Sequence, residues 1–384
     1  MEMMNQLKRV IKSLIYINQP NLNSMKKIFT LLAIVLITAN AYSQGCVAIR
    51  STGGMCSLTE HPDSMAMSDG SWVFNVNTRY FMSNKHYKGD VYQKERLEKG
   101  NEVINHQFAF DLALTRVFNN RWSAMLDIPI ISNARSSLYE HGGKERHSMH
   151  SFGLGDVRFA VYRWLIDPAK SRNFNVQLGL GLKLPTGDYK YADFWQNVGV
   201  NGAPELRSVD QSIQLGDGGT GITAELNTYY NPVRNLGIYG NFYYLSNPRD
   251  QNGVRTYREL IRAELADEYY MSVPDQYMAR VGANYAVSSK FIASLGGRVE
   301  GIPVYDVIGK SGAFRRPGYI VSIEPGLNYQ ANKVNLYVTV PTALYRNRTQ
   351  SVTDKIRTTK SGVFQQGDAA FADYAINFGI SFKL

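Results

Sequence analysis

The chain has 384 residues and a formal net charge of +10, with 12% aromatic residues that include 25 Tyr, and 33 Gly. Its length suits two or three soluble domains or one large barrel. The positive charge falls to +6 once residues 1–43 are set aside and contains no basic run interleaved with aromatics, which argues against nucleic-acid binding. No apolar run beyond the N-terminus reaches the ~18 residues of a membrane helix, which excludes a helical bundle.

Residues 1–24 have no clear organisation and read as an upstream start extension. Met25–Ser43 reads MKKIFTLLAIVLITANAYS. Lys26 and Lys27 form a basic region, Ile28–Ile37 an apolar one too short to span, and Ala41-Tyr42-Ser43 a cleavage site, so 25–43 is expected to be a signal peptide. The chain's two cysteines, Cys46 and Cys56, follow directly. In an exported chain such a pair is expected to form one disulfide. The rival is a lipid anchor on Cys46, although Ser43 and Gln44 do not suit it. Residues 44–71 show no alternation and read as a periplasmic strap or a small plug.

From residue 72 onward, apolar and polar residues alternate with period two, the mark of strands with two different faces. Trp72, Phe74, Val76, Thr78, Tyr80 and Met82 oppose Asn75, Asn77 and Arg79. Strands are then expected over 103–117, 121–133, 153–165, 174–184, 221–230, 236–246, 276–287, 290–301, 318–329, 333–346 and 372–384, twelve in all. In the fifth, Phe174, Val176, Leu178, Leu180, Leu182 and Leu184 oppose Asn175, Gln177, Gly179, Gly181 and Lys183. Lipid outside and water inside account for both rows, and about nine to eleven residues suffice to cross a bilayer. Connectors alternate between short (118–120, 166–173, 231–235, 288–289, 330–332) and long (83–102, 134–152, 186–220, 247–275, 302–317, 347–371). Outer-membrane barrels have short periplasmic turns and long outer loops. The fold class expected is therefore an all-β, antiparallel transmembrane barrel occupying 72–384 in the cell outer membrane.

Within the fourth and fifth strands, Gly153, Leu154, Gly155 and Asp156 precede Gly181, Lys183, Pro185, Thr186, Gly187 and Asp188. This GLGD and G-x-K-x-PTGD pattern resembles the outer-membrane channel family labelled phenol-degradation (meta-pathway) transporters, which is similar to FadL-like channels. The resemblance implies small hydrophobic or aromatic solutes as cargo. It also implies that an N-terminal hatch and a strand interruption serving as a lateral exit are to be looked for. Pro129, Pro325 and Pro341 lie inside strand patterns, and each implies a bulge or break, since proline cannot donate to the ladder. The last strand ends with Phe382 and Leu384 and resembles the signal read by the outer-membrane assembly machinery. Outer-membrane lipids are the remaining partner expected.

The face assigned to the lumen carries Arg79, Asp111, Asp127, Asp156, Arg158, Lys183, Glu225, Arg280, Arg298, Glu300 and Glu324, with Tyr162, Tyr229, Tyr239, Tyr243 and Tyr337. Mixed charge points to a salt-bridged interior or a zwitterionic constriction rather than a single-sign selectivity ring. The tyrosines either line a path for aromatic compounds or fill space. His141, His147 and His150 lie in one loop with few carboxylates, too loose a set for a metal site. Gly216–Gly221 precedes no helix and reads as a strand-initiating loop rather than a phosphate cradle. A hydrolase barrel needs Ser activated by His, and the only close pair, His147-Ser148, falls in a loop. No enzyme and no cofactor are expected. Channel function is the leading reading; a structural or adhesin barrel is the alternative.

Overall fold

The computed structural model describes Asp69–Leu384 apart from Arg172, residues 257–262 and Asn332. The expected signal peptide, the Cys46 and Cys56 expected to form a disulfide, and nearly all of the expected 44–71 strap or plug lie outside the described residues. Twelve antiparallel barrel strands run in chain order: β1 (Trp72–Lys88), β2 (Ile104–Val117), β3 (Trp122–Ser137), β4 in two pieces (His147–Leu154 and Arg158–Trp164), β5 (Phe174–Lys183), β6 (Gly221–Val233), β7 (Leu236–Ser246), β8 (Gln276–Ala286), β9 (Phe291–Ile302), β10 (Gly318–Ala331), β11 in two pieces (Val334–Thr339 and Thr342–Asn347) and β12 (Ala369–Lys383). Each pairs with its chain neighbours, and β12 closes on β1 from Val73↔Lys383 to Tyr87↔Ala369. The barrel therefore has no open edge, the condition a sheet must meet in hydrocarbon. No helix among the described residues is long and apolar enough to cross a membrane.

The alternation read from the sequence is the alternation of the wall. In β5, Asn175, Gln177, Gly179, Gly181 and Lys183 are buried, while Phe174, Leu178, Leu180 and Leu182 are exposed on the outside, Leu180 to 65%. The same holds for β1, where Asn75, Asn77 and Arg79 face in and Trp72 faces out.

Several strands outrun their expected limits. β1 continues to Lys88, β3 to Ser137, β12 begins at Ala369, and β4 begins at His147 rather than 153. The ladder continues past the hydrocarbon, where outward positions such as Ala134, Ser136, Ser148 and His150 are no longer greasy and the pattern loses its contrast. The long outer connectors also contain structure of their own: hairpins Ala192–Trp195 with Glu205–Ser208 and Gln251–Arg255 with Tyr270–Ser272, and a helix, Val352–Ser361. That helix starts with a capping box in which Ser351 and Asp354 satisfy each other's backbone N–H.

Both interrupted strands face a proline on their neighbour. Ile128 and Pro129 of β3 stand opposite Gly155, Asp156 and Val157, between the pairs Asp127↔Arg158 and Ile130↔Leu154. Glu324 and Pro325 of β10 stand opposite Val340 and Pro341. In each case the proline carbonyl still accepts one bond, from Gly155 N at 2.8 Å and from Val340 N at 3.0 Å. A residue's N–H and C=O point to the same neighbour in an antiparallel ladder. The donor each proline lacks is therefore missing on the side where the next strand breaks.

Leu180 stands on the lipid face near the middle of β5. Leu180→Arg should cost about 2–4 kcal/mol in denaturant unfolding from vesicles, whereas the volume-conserving Leu180→Met should cost under about 1.5 kcal/mol.

Candidate functional site: the capped lumen

The inward face of the barrel is a packed, charged interior. Arg79 of β1 reaches across to Glu300 of β9 at 3.4 Å. Glu300 also receives Arg298 at 2.7 Å; Arg298 lies 3.9 Å from Glu324, and Glu324 takes Arg280 at 3.0 Å. One chain of alternating charge thus joins β1, β8, β9 and β10. On the other wall Tyr162 donates to Glu225 at 3.0 Å, and Arg158 donates to the Tyr243 hydroxyl at 3.4 Å. Asp111 and Asp127 are each 1% exposed, and Asp127 is the cross-strand neighbour of Arg158. Isolated charges could not be held in such a place; alternation repays the desolvation that burial imposes.

The tyrosines lie along the wall instead of projecting into the lumen. A Cβ placed on Gly179 would sit 2.6 Å from the Tyr162 ring. Tyr239 covers Gly282 and Gly296 in the same way, and Tyr337 covers Gly379. Each ring fills the space its glycine leaves, and the aromatic packs over bare backbone on the neighbouring strands. The tyrosine hydroxyls are committed too: Tyr337 donates to Asn77, and Tyr229 donates to the Ser171 carbonyl at 3.1 Å, tying down a periplasmic turn. Tyr243 packs with Leu245 and Met278.

The GLGD and PTGD residues meet at the interruption in β4. Val157 N donates to Thr186 Oγ1 at 2.8 Å, and the same hydroxyl donates to the Gly155 carbonyl at 2.8 Å. The threonine side chain stands in for the missing rungs of the ladder. Asp156 turns inward and accepts from Gly187 N at 3.0 Å, Asp217 N at 3.2 Å and Lys183 Nζ at 3.3 Å; Lys183 also contacts Asp217. Gly181 supplies close approach, since a Cβ there would run into the Phe159 carbonyl and the Thr223 hydroxyl. Asp188 lies just outside, accepting from Lys190 N. Gly153 belongs to the last paired residues of the first β4 piece, and the structure gives no particular role to Pro185.

Above this level residues 209–217 fold over the outer mouth. Val209, Ile213 and Leu215 are buried, the first two against Met149 and Trp195. The Ile213 carbonyl accepts from Asn133 Nδ2 at 3.2 Å and from Ser151. Asp210 receives a bidentate Arg316 at 2.9 and 2.6 Å, and Arg135 of β3 lies 3.5 Å away. Burial alone would raise the Asp210 carboxyl, but the guanidinium of Arg135 and then that of Arg316 overcome it and hold it far below the usual carboxylate range. Beneath the cap is a cavity of about 140 Å³. Arg79, Arg158 and Lys183 reach it, together with cap residues Gln211 and Gln214 and apolar wall residues such as Ile131 and Leu245. A smaller cavity of about 20 Å³ lies at the β11 interruption, between Arg79 and Glu300 inside and Pro341 and Tyr374 in the wall.

Sequence reading missed the cap. Arg135, Asp210 and Arg316 sit in stretches without periodicity, and only the apolar Ile213 and Leu215 inside a polar loop hint that it is buried. The three histidines do not converge on a site, and His147 and Ser148, expected in a loop, begin β4 because the ladder runs on past the hydrocarbon: His141 accepts from Gln196 N at 2.9 Å, and the His147 ring meets the His141 ring edge-on.

Comparison with known proteins places this geometry among outer-membrane barrels. No family model matches the chain, and no curated protein matches its sequence. Among solved structures, an outer-membrane channel from Pseudomonas putida F1 has a TM-score of 0.54 at 11% identity, covering 83% of this chain and 97% of that one. The toluene transporter TbuX from Ralstonia pickettii has a TM-score of 0.41 at 10% identity, over 89% of this chain and 96% of its own. At 11% identity, what the chain shares with the Pseudomonas putida channel is the fold.

Two outcomes follow from the geometry. Gly179→Ala should destabilise the barrel by about 1–3 kcal/mol through overpacking against Tyr162. Adding Tyr162→Ala should recover part of that loss, and a double-mutant cycle measures the coupling. Asp210→Asn should release the cap and raise single-channel conductance in planar bilayers. Because the Asp210 carboxyl is depressed in the fold, its contribution is complete above the unfolded value of about 3.9 and fades only below it. Lowering the pH from 8 to 5 should therefore not reproduce the effect of Asp210→Asn.

Proposed function

We propose that the chain is a passive outer-membrane channel for small hydrophobic or aromatic molecules. The observation that carries the reading is the cavity of about 140 Å³ between the cap and the ion-paired floor. Its wall joins apolar side chains to amide and guanidinium donors, which suits a solute with an apolar body and one polar group. Below it, the alternating Arg–Glu chain leaves little room for a hydrated polar solute. The GLGD and PTGD resemblance supports the same cargo class, and the Pseudomonas putida channel supports an outer-membrane location through its shared fold. The β11 interruption, with a cavity joining Arg79 and Glu300 to Tyr374 in the wall, is the proposed way out toward lipid. The β4 interruption is stitched by Thr186 and is assigned a structural role. On this reading the lumenal charges position and seal, the protein has no catalytic role, and residues 25–43 direct export.

The test is uptake by liposomes containing the purified barrel, comparing a phenolic with a small sugar of similar mass. The phenolic should enter faster than the sugar and faster than into protein-free vesicles. Leu245→Trp, which fills the cavity from β7, should slow phenolic entry while leaving the heat-shifted mobility of the folded barrel intact. Equal, background-level entry of both solutes would favour a structural or adhesin barrel.

A further inference from the structure

At the periplasmic end of β1–β4 the lipid-facing side chains alternate between tryptophan and arginine. Trp72 is the cross-strand partner of Arg116, and Trp122 that of Arg163. In both pairs the guanidinium lies over the indole, 4.8 and 5.1 Å from the ring centre. The two indoles are 40% and 41% exposed, so the pairs stand on the outer surface. Arg116 donates to the Gly70 carbonyl. Neither arginine has an ion-pair partner among the described residues. An indole face attracts a cation but leaves its charge uncancelled, and tryptophan at a barrel rim sits at headgroup depth.

The surrounding turns are charged in the same sense. The five short turns left between the observed strands, 118–121, 165–173, 234–235, 287–290 and 332–333, carry Arg121, Lys170, Arg234, Lys290 and Lys333 among their described residues against one acidic residue, Asp167. The Asp167 carboxylate is already turned onto Ala169 N at 3.0 Å. The long outer loops, by contrast, hold acidic and basic residues in near-equal number. The imbalance is therefore confined to the rim that meets the periplasmic leaflet.

We propose that this rim binds anionic phospholipid, with Arg116 and Arg163 on either side of Trp122 as its principal headgroup site. Neighbouring strands lie about 4.8 Å apart and residues rise about 3.4 Å along them; Arg116 is level with Ala124 and Arg163 with Trp122, so the two arginines start about 12 Å apart, a distance two long side chains close around one phosphodiester. The guanidinium edges left open by indole stacking match phosphate oxygens in pairs. The indoles meet the glycerol and upper acyl region, and the basic turns add longer-range attraction to an anionic surface. The inference rests on the membrane-spanning barrel with its short turns in the periplasm, and not on which solute passes through it.

The test is native mass spectrometry of the purified barrel released from micelles containing equal phosphatidylglycerol and phosphatidylcholine. The wild type should retain phosphatidylglycerol preferentially. Arg116→Gln with Arg163→Gln should reduce that preference by about thirtyfold, while Lys144→Gln with Lys360→Gln in the outer loops should leave it unchanged. Arg116→Lys with Arg163→Lys should keep part of it, separating loss of charge from loss of fold, and heat-shifted mobility on a gel checks the fold directly. Equal retention of both lipids by the wild type, or an undiminished preference in the double glutamine variant, would overturn the proposal. Displacement of the lipid by inorganic phosphate would overturn it as well, by showing a general anion site. A rim that ignores both lipids but captures an acidic periplasmic protein would reassign the surface to that partner. Liposome uptake of phenolics is unaffected by any of these results, so the two readings fail separately.

Discussion

The structure depends on one requirement: in hydrocarbon every backbone N–H and C=O must find its partner within the sheet. Closure of β12 on β1 meets this around the circumference. The prolines of β3 and β10 break it locally, and the chain answers each break differently. Opposite Pro129, a threonine side chain from the segment after β5 supplies the donor and acceptor that the ladder lost. Opposite Pro325, a second proline sits in the gap itself, and Ala375 N bonds to its carbonyl at 3.0 Å from the far side. The first break is bridged by the Thr186 hydroxyl and the second is bounded by two prolines, and a cavity lies on the inner side of each.

The interior obeys a related rule. Twelve strands enclose a lumen that side chains can nearly fill, and here they fill it with charge and aromatic surface. Charges in such a space have to alternate, which makes the Arg79–Glu300–Arg298–Glu324–Arg280 chain a single unit. Removing one member unbalances the buried charge of its neighbours, so these residues should couple in stability. The tyrosines take the complementary role. Each lies over a glycine, converting a thin strip of bare backbone into a packed surface.

Much of the wall was legible because lipid imposes period two on the outward face. Strand number, order and facing follow from that one signal, and β7 was read to the residue. Legibility ended where the lipid ended. The outer extensions of β1, β3 and β4 lack a greasy face, so residues such as Ser136 and Ser148 gave no pattern. The cap was hidden for another reason: Asp210 matters through Arg135 and Arg316, which lie 75 and 106 positions away, and no local rule joins them. Gly179 shows a subtler limit. Its inward direction was readable, but nothing in its own stretch showed that the Tyr162 ring covers it. The motif residues around Asp156 and Thr186 stood out by resemblance, and only the geometry showed that they mend a strand.

The seam between β1 and β12 has a kinetic side. Leu384 N donates to the carbonyl of Trp72, so the final rung joins residues more than three hundred positions apart. Contacts of such separation form late, because the entropy of the intervening loop must be overcome first. Until then the growing sheet has two bare margins, one along β1 and one along whichever strand was added last, each able to pair with a foreign chain. The molecule is thus most vulnerable to aggregation just before it is finished, and a companion strand that occupies one margin until β12 arrives would shield it through that interval.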